Sequence, residues 1–387
     1  MLTWLAEMEA KVSWLRIFQY VTFRAAAGGA TAFALSLLCG RRMIAGLRRM
    51  HVGQEVRKGE EWKAIGHGGK QGTPTMGGLL ILATAGVSSL LWCDWGNAMV
   101  WLSLATLVYM GGVGFLDDWL KLKRHNSDGL SEKRKYVLEG LWAVAAFAWM
   151  ESIPEVRAHL ATFYVPFRSA PLWVGVPWWV MMPWVWLVIV GTTNAVNLTD
   201  GLDGLAAGCY APVNAAVVVM AYVAGHSVFA GYLRVPAVPG AHELAVFGGC
   251  LLGGVLGFLW WNAYPAKVFM GDTGALALGG AVAMVALLVK QELALAVAGA
   301  VFVVEAASVM IQRGACKTYR RRTGQTLPPE KRPFRMAPLH HHFEIVSKEH
   351  LKALGRSPDA AENSVVVRFW VVSALCAAAA VALLKVR

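Results

Sequence analysis

Ten apolar runs, each about the length needed to cross a lipid bilayer, dominate this 387-residue sequence. A membrane-spanning helix needs roughly 20 predominantly apolar residues. The composition agrees, because 57% of the residues are hydrophobic and only 16% are charged, against about 25% charged in an average soluble domain. We therefore predict an all-α integral membrane protein and exclude a soluble domain, a disordered chain and a coiled coil. The predicted spans cover residues 18–38, 76–93, 97–116, 135–151, 172–193, 204–224, 245–263, 274–290, 293–312 and 365–384.

The basic residues indicate how these spans are oriented. Cytoplasmic loops of membrane proteins carry an excess of Lys and Arg. The loops after the odd-numbered spans hold 26 of the 36 Lys and Arg residues, and the opposite side holds 8. We therefore predict one polytopic domain over residues 1–387 with both termini periplasmic. The net charge of +12 follows from this asymmetry and indicates no nucleic-acid partner. The predicted cytoplasmic loops are about 39–75, 117–134, 194–203, 264–273 and 313–364.

Five of the eight aspartates lie at predicted cytoplasmic ends of spans, and they are Asp117, Asp118, Asp200, Asp203 and Asp272. Acidic residues contribute little to the positive-inside rule, so topology does not explain this clustering. Asp117 and Asp118 end a helix, where the helix dipole disfavours carboxylates. We expect a metal ion or a nearby cation to compensate that pair. The other three have an alternative structural role at helix N-termini, with Asp200 and Asp272 as caps.

The segments around these carboxylates supply cations and backbone donors. Before span 2, we expect Thr73 and Pro74 to start the helix, with glycine amides free to approach a phosphate. Lys121 and Lys135 follow span 3, although positive-inside charge alone also explains such lysines. The last loop contains three consecutive histidines, which cannot all face one zinc ion on a regular helix. We expect these rings to bind phosphate or sugar oxygens, and we expect Glu305 to bond within the bundle.

Clustered carboxylates, lysines and helix N-termini at one membrane face suit Mg²⁺-dependent phosphoryl transfer. Mg²⁺ binds through one or two carboxylates together with substrate phosphates, and it neutralises charge on a leaving phosphate. Ten spans also offer a groove for a long isoprenoid whose phosphate lies at the interface. A transporter with the aspartates in an ion path is the alternative. Transporter sites usually lie near the bilayer midplane, whereas these acids lie at span ends.

Five blocks of the sequence resemble the MraY family of phospho-N-acetylmuramoyl-pentapeptide-transferases. They occur in family order over nearly the whole chain. The blocks are Gly72-TPTMGG, Gly114-FLDDWLK, Asn194-AVNLTDGLDGLA, Gly257-FLWWNAYPAKVFMGDTG and Pro338-LHHHFE. The aspartate blocks alone would also fit the wider polyprenyl-phosphate N-acetylhexosamine-1-phosphate transferases, including those that transfer N-acetylglucosamine-1-phosphate. The last two blocks resemble the MraY branch in particular.

The resemblance implies a ten-helix enzyme of the bacterial inner membrane, usually a homodimer, with its active site facing the cytoplasm. It implies transfer of phospho-MurNAc-pentapeptide from UDP-MurNAc-pentapeptide to undecaprenyl phosphate. The products would be lipid I and UMP, and Mg²⁺ would be the cofactor. Lipid I serves peptidoglycan synthesis, and hence cell shape and cell division. The family's mechanism is argued between direct attack and a covalent intermediate.

The same resemblance implies roles for individual residues. Asp272 would be the Mg²⁺ ligand, and Asp117 and Asp118 would hold and deprotonate the lipid phosphate. Phe269 would stack on uracil, although packing within the bundle is the simpler explanation. The implied catalytic set also includes His341, and the implied substrate-binding set is Lys70, Thr75, Lys121, Lys135, Asn197, Asp200, Gly201, Leu202, Asp203, Asn262, Phe269, His340 and His342. Two departures from the family pattern are Ala275, where a serine usually stands, and an apparent extra stretch over 319–333.

Overall fold

The computed structural model describes residues 13–50, 72–124, 129–355, 357–358 and 360–385, which are mostly helical. Short 3-10 helices cover Ser13–Gln19 and Pro329–Lys331, and strands β1 (Thr162–Phe163) and β2 (Trp173–Val174) pair antiparallel. The α-helices are α1 (Val21–Arg49), α2 (Gly78–Trp92), α3 (Ala98–Arg124), α4 (Glu132–Ser152), α5 (Pro154–Leu160), α6 (Trp178–Thr199), α7 (Leu205–Ala224), α8 (Ser227–Leu233), α9 (His242–Asn262), α10 (Gly271–Leu288), α11 (Glu292–Ala298), α12 (Ala300–Thr323), α13 (Leu339–Ala353) and α14 (Ala360–Leu383).

Seven helices in the described part of the chain are long and apolar enough to cross a membrane, or eight if the bent pair α11 and α12 forms one span. The prediction of an all-α membrane protein is therefore confirmed. Each of the ten predicted spans overlaps a helix. However, α2 has only 15 residues, and α4 begins with a run of charged side chains. Ten crossings therefore stay a prediction.

Helix α10 lies at the centre of the bundle. Its residues from Thr273 to Leu288 are all buried, and it packs against α2, α3, α6 and α7. The helix consists largely of small and aliphatic residues, and small side chains let neighbouring helices approach closely. At Gly114 of α3, an added Cβ would lie 2.2 Å from the carbonyl oxygen of Asp272. This close contact places the start of α10 against the last turns of α3.

Three helices extend past their predicted membrane boundaries. α1 continues to Arg49, α3 to Arg124 and α12 to Thr323. These extensions are rich in Lys and Arg, which are good helix formers and are favourable at the negative end of the helix dipole. Parts of the segments predicted as basic loops are therefore helical.

The predicted span 293–312 is not straight. Helices α11 and α12 meet at Gly299 with an angle of 82° between them. Beyond this break, α12 packs against α6, α13 and α14. It also presents exposed apolar side chains along its first three turns. The break therefore directs α12 away from the axis of α11, and the apolar side chains at the start of α12 face outward from the bundle.

Candidate active site

Three carboxylates from two helices meet at one end of the bundle. Asp117 and Asp118 come from α3, and Asp272 lies in the first turn of α10. One carboxylate oxygen from each residue lies within 4.8 Å of the others, and no other group of His, Cys, Asp or Glu among the described residues has such spacing. The side chains of Asp117 and Asp118 are 4% exposed, and that of Asp272 is 17% exposed. These three residues are called the carboxylate cluster, and their oxygen donors fit a Mg²⁺ ion.

Two lysines contact the carboxylate cluster. Lys121 Nζ lies 2.6 Å from Asp117 Oδ2 and 3.1 Å from Asp272 Oδ2, and Lys135 Nζ lies 2.8 Å from Asp272 Oδ2. When the side-chain amide of Asn197 is turned to exchange its oxygen and nitrogen, the nitrogen donates to Asp272 Oδ1 at 3.0 Å and the oxygen accepts from Lys135 Nζ at 2.9 Å. Three ionised carboxylates against two ammonium groups leave one negative charge. The group can therefore accept a further cation.

Asp118 also caps helix α10. Its Oδ2 accepts hydrogen bonds from the backbone N–H and the hydroxyl of Thr273 at 3.0 and 2.7 Å, and its Oδ1 accepts from the N–H of Asp272 at 3.2 Å. The positive end of the α10 dipole thus stabilises this carboxylate. Asp117 Oδ1 accepts from the N–H of Leu130 at 2.7 Å. The compensation expected for this aspartate pair therefore comes from the Lys121 ammonium group and from the partial positive charge at the N-terminus of α10. The alternative role of Asp272 as the cap of α10 is wrong, because Asp272 lies inside the first turn of that helix, where its carboxylate contacts Lys121 and Lys135.

The segment before α2 pairs with the segment before α10. The N–H of Phe269 donates to Pro74 O at 2.8 Å, the N–H of Gly77 donates to Phe269 O at 2.8 Å, and the N–H of Gly78 donates to Met270 O at 2.9 Å. Helix α2 therefore begins at Gly78 rather than at Pro74, so that prediction is wrong. The prediction that the glycine amides are free to bind a phosphate is also wrong for Gly77 and Gly78, because their N–H groups donate to the carbonyl oxygens of Phe269 and Met270.

Thr75 lies at the edge of the carboxylate cluster. Gly271 has a φ of +71°, which favours glycine, and an added Cβ there would lie 2.9 Å from Thr75 Oγ1 and 2.7 Å from Asp118 Oδ2. The glycine thus lets both side chains reach the start of α10. Lys70, the lysine predicted to bind substrate from the same loop, lies outside the described residues.

The turn between α6 and α7 carries the next group of predicted site residues. Helix α7 begins at Leu205, with Gly204 as its N-cap. The predictions that Asp200 caps α7 and that Asp203 lies in its first turn are therefore wrong. The Asp203 carboxylate instead accepts from the N–H of Ala266 at 3.0 Å. It therefore holds the loop that leads to α10.

The side chains in and next to this turn differ in their surroundings, and the first of them, Asn262, is the last residue of α9. Asn262 donates to Val268 O at 2.9 Å and accepts from the N–H of Gly204 at 3.1 Å, which also fixes the loop before α10. Leu202 is buried. Burial, with the charges of Asp272 and Asp118, raises the pKa of Asp200 to about 7.

The first of the three histidines is held by Glu305 of α12. The Glu305 carboxylate accepts from the backbone N–H of His340 at 2.9 Å and contacts its Nδ1 at 3.0 Å. Both side chains are fully buried. The other ring nitrogen, Nε2, has no hydrogen-bond partner among the described residues, and an added Cβ on Gly201 would lie 2.2 Å from it. His340 therefore presents an unused ring nitrogen to the α6–α7 turn. Glu305 is hydrogen-bonded, but its partner lies in the predicted last loop and not on another predicted span.

The other two histidines make different contacts. His341 is buried, with its Nδ1 3.2 Å from Glu344 Oε2, and burial lowers the pKa of its imidazole. His342 is half-buried, its Nδ1 accepts from the N–H of Arg335 at 3.2 Å, and burial followed by the charge of Arg335 lowers its pKa. The three rings therefore do not form one common set of donors, because the rings of His340 and His341 contact buried glutamates.

Comparison with known proteins identifies the family. Residues 100–290 match the model for glycosyl transferase family 4, and residues 70–82 match signature 1 of phospho-N-acetylmuramoyl-pentapeptide-transferase. The chain is 42% identical over 375 residues to the phospho-N-acetylmuramoyl-pentapeptide-transferase of Methylacidiphilum infernorum, with 96% of each chain covered. The chain belongs to this family. It is also 43% identical to the same-named protein of Nitratidesulfovibrio vulgaris strain DP4 over 98% of each chain, and 42% identical to that of Neisseria gonorrhoeae over all of each chain.

Within this MraY-family chain, two glutamates near the candidate site were given no role there from the sequence. Glu305 positions His340, as described above. Glu139 is fully buried on α4, one turn after Lys135, and its Oε2 accepts from the amide of Asn194 at 2.6 Å. Both acids lie within apolar helices, where carboxylates are unfavourable and commonly functional. A carboxylate in an apolar segment is visible in the sequence, but its partner is not. His340 lies 35 residues from Glu305, and Asn194 lies 55 residues from Glu139.

Proposed function

We propose that the protein transfers phospho-MurNAc-pentapeptide from its UDP carrier to undecaprenyl phosphate, giving lipid I and UMP. The observation that carries the proposal is the carboxylate cluster with its two lysines. It occurs in a chain that is 42% identical, over nearly its full length, to a protein named for this activity. The reaction serves peptidoglycan synthesis.

The reaction exchanges one pyrophosphate for another. A phosphate oxygen of undecaprenyl phosphate forms a bond to the phosphorus that carries MurNAc, and the bond from that phosphorus to the bridging oxygen breaks. The bonding electrons leave with UMP. Both substrates are anions, so their repulsion must be reduced before they can meet. Lys121 and Lys135 are placed to neutralise part of that charge.

We infer that Mg²⁺ is the cofactor. The donor set fits, because the cluster offers carboxylate oxygens within 4.8 Å of one another and has one negative charge more than its lysines compensate. Asp272 would hold the ion, with Asp117 and Asp118 beside it. The bound ion would supply charge neutralisation at the diphosphate.

The remaining roles follow from where the side chains lie. Asp117 is the group we assign to the lipid phosphate and its proton, since Asp118 is engaged in capping α10. His340 Nε2 is a buried, unpartnered ring nitrogen that can bind a phosphate or sugar oxygen. We place the UDP-sugar against the α6–α7 turn, with Thr75, Asn197, Asp200, Gly201 and His342 around it, and Asp203, Asn262 and Leu202 supporting that wall. His341 completes the catalytic set.

Phe269 is proposed to stack on the uracil ring. Its backbone N–H and carbonyl are both hydrogen-bonded to the segment before α2. Its side chain is half-buried, so a rigid backbone presents a partly accessible ring. Such a ring can stack on a base without losing much conformational entropy.

We infer ten crossings, a cytoplasmic active site in the inner membrane, periplasmic termini and a homodimer. The basic extensions of α1, α3 and α12 lie at the predicted cytoplasmic ends of their helices, as the positive-inside rule requires. Cysteine-accessibility mapping from each side of the membrane tests the topology. Native mass spectrometry in detergent tests the homodimer. A majority of monomer at micromolar concentration would contradict it.

The decisive experiment measures UMP release by the purified protein with undecaprenyl phosphate and Mg²⁺. UDP-MurNAc-pentapeptide and UDP-N-acetylglucosamine are supplied in parallel reactions. We expect release only from the muramyl substrate, and EDTA should abolish it. Release only from UDP-N-acetylglucosamine would keep the chemistry but change the substrate. No release from either, in a folded protein, would overturn the proposal and favour the transporter alternative.

A further inference from the structure

A basic cavity lies at the end of helix α12. Its volume is about 620 Å³, within the range of small-ligand sites. Four cationic side chains line it, together with a thiol and a buried aliphatic side chain, and these are Lys317, Arg320, Arg321, Arg332, Cys316 and Leu327. None of them belongs to the candidate active site. The cavity therefore requires a separate explanation.

The chain that follows α12 folds back and forms the second wall. Helix α12 ends at Thr323, and its C-cap residue, Gly324, has a φ of +72°. On the returning segment, Lys331 Nζ lies 5.9 Å from the centre of the Tyr319 ring. Further along, Gln312 forms two hydrogen bonds with the backbone of Phe334, at 3.0 and 3.2 Å. The return segment is thus attached to α12 at two points, and side chains of both α12 and this segment line the cavity. Much of this wall comes from the 319–333 stretch.

The charge around the cavity is unbalanced. Residues 313–335 include eight basic residues and one acidic residue. The two terminal arginines of this stretch form ion pairs with glutamates elsewhere. Lys317, Arg320 and Arg321 form no ion pair with any residue in the described part of the chain. Their positive charges therefore favour an anion, and guanidinium groups bind phosphate especially well through paired hydrogen bonds.

An apolar surface leads directly to this cavity. Val303, Val304, Met310 and Ile311 of α12 are between 48% and 68% exposed. At the helical rise of 1.5 Å per residue, Lys317 lies about 9 Å beyond Ile311 along α12. An anionic phospholipid has the same arrangement, with acyl chains next to a phosphate headgroup. Basic pockets beside membrane helices are suited to such headgroups, whereas a soluble anion would leave the apolar surface unused.

We propose that this cavity binds the phosphate headgroup of an anionic phospholipid whose acyl chains lie along the apolar surface of α12. The site is separate from the carboxylate cluster and requires no turnover. Its ligand is a structural lipid rather than a reactant. Its occupancy can therefore be measured independently of the proposed enzymatic activity.

Cys316 provides a local reporter, because it lines the cavity and is partly exposed. The purified protein in uncharged detergent micelles is treated with N-ethylmaleimide, and alkylation of each cysteine is followed by peptide mass spectrometry. Phosphatidylglycerol, phosphatidylcholine and inorganic phosphate are added in separate reactions. Cys39, which is exposed on α1, is the internal reference. We expect phosphatidylglycerol at about ten times its Kd to slow Cys316 alkylation about tenfold, because only the unoccupied fraction reacts.

Charge-matched variants distinguish the cavity from general electrostatic attraction. The triple variant Lys317→Gln, Arg320→Gln, Arg321→Gln should lose the protection. The control variant Arg41→Gln, Arg42→Gln, Arg48→Gln removes the same charge from exposed positions on α1 and should retain it. If the first triple variant fails to fold, Arg321→Gln is compared with Arg322→Gln. These residues are adjacent and equally charged, but Arg322 does not line the cavity.

Three results would overturn the proposal. One is equal protection by phosphatidylcholine or at Cys39, which would mean general lipid coverage. A second is equal protection in the cavity and control variants, which would mean that the cavity cations are not the binding groups. A third is full protection by inorganic phosphate alone, which would assign the cavity to a soluble phosphate ligand.

Discussion

The carboxylate cluster and the Arg24–Glu243 pair both place charges inside the helical bundle, but they balance those charges differently. Arg24 of α1 and Glu243 of α9 form two hydrogen-bonded contacts, and both side chains are about 5% exposed. One positive charge therefore meets one negative charge in an enclosed site. The cluster has three carboxylates against two ammonium groups, and the Lys121 side chain is 34% exposed. The balanced pair is complete by itself, whereas the cluster can receive a cation and an anionic substrate.

We therefore expect the Arg24–Glu243 pair to affect mainly the stability of the fold, and the carboxylate cluster to affect mainly the enzymatic activity. Removing one partner of the enclosed pair should destabilise the fold and leave the chemistry intact. Removing the Asp272 carboxylate from the cluster should do the opposite, because the cluster already has more negative charge than its lysines compensate.

The largest effect is expected for Asp272→Asn. This change removes the charge that both lysines contact, and UMP release should fall about 10³-fold, as expected for loss of a group that stabilises transition-state charge. The thermal unfolding midpoint should change little. The control is Asp94→Asn, an exposed aspartate that accepts a hydrogen bond from Gly96, which should keep normal turnover. Near-normal turnover of Asp272→Asn would remove Asp272 from the metal site.

Arg24→Met should produce the reverse phenotype. It leaves the Glu243 carboxylate buried without its cation, which costs about 3–5 kcal/mol of unfolding free energy. Unfolding is measured by titration with a denaturing detergent, and turnover is measured on the folded fraction. Adding Glu243→Leu should recover most of the stability. A loss of turnover without a loss of stability would break the contrast.

Glu305→Gln is an intermediate case, because Glu305 is buried like the enclosed pair but positions a site histidine. The glutamine can still accept from the His340 N–H, so the fold should persist. Loss of the charge beside the imidazole should lower kcat about 10-fold to 100-fold. The matched control is Glu349→Gln, which removes an exposed ion pair with Arg335. Unchanged kcat would mean that Glu305 serves packing alone.

Phe269→Ala tests which substrate the ring contacts. Stacking of an aromatic side chain on a base is worth about 1–3 kcal/mol, so KM for the UDP-sugar should rise about tenfold, since 1.4 kcal/mol corresponds to a factor of ten. KM for undecaprenyl phosphate should stay nearly constant. Phe229→Ala, an exposed ring on α8, is the control. Equal increases in both KM values would assign Phe269 to packing.

The smallest effect concerns the pH dependence of stability through His341. Burial places the folded-state pKa of His341 below its unfolded value, which is about 6.5. As the pH falls below 6.5, the unfolded chain binds the proton first, so stability is lost by up to about 1.4 kcal/mol per pH unit. His341→Gln should reduce this slope, and the exposed control His350→Gln should not. Identical slopes in both variants would contradict the assignment.

Much of the site could be predicted because its chemistry is local in sequence. Carboxylates, lysines and histidines next to apolar runs can be recognised directly in the sequence. Their proposed roles follow from the resemblance of the surrounding blocks to the family. Helix starts were predicted less well. Thr73 and Asp200 are good N-cap residues by propensity, but α2 and α7 begin at Gly78 and Leu205, because tertiary hydrogen bonds engage the preceding segments. The preference of a residue for the N-cap position is worth about 1 kcal/mol, and several tertiary hydrogen bonds together outweigh it.

Apolar length and local motifs are enough to identify this chain as a helical membrane protein of the MraY family, because neither depends on contacts between distant residues. Which charges meet depends instead on how the helices pack. Asp118 caps a helix that begins 153 residues later, and Glu305 orients a histidine 35 residues away. The physical reason is that hydrogen bonding and charge compensation depend on distances of a few ångströms. Helix packing sets those distances, including the close approach at Gly114.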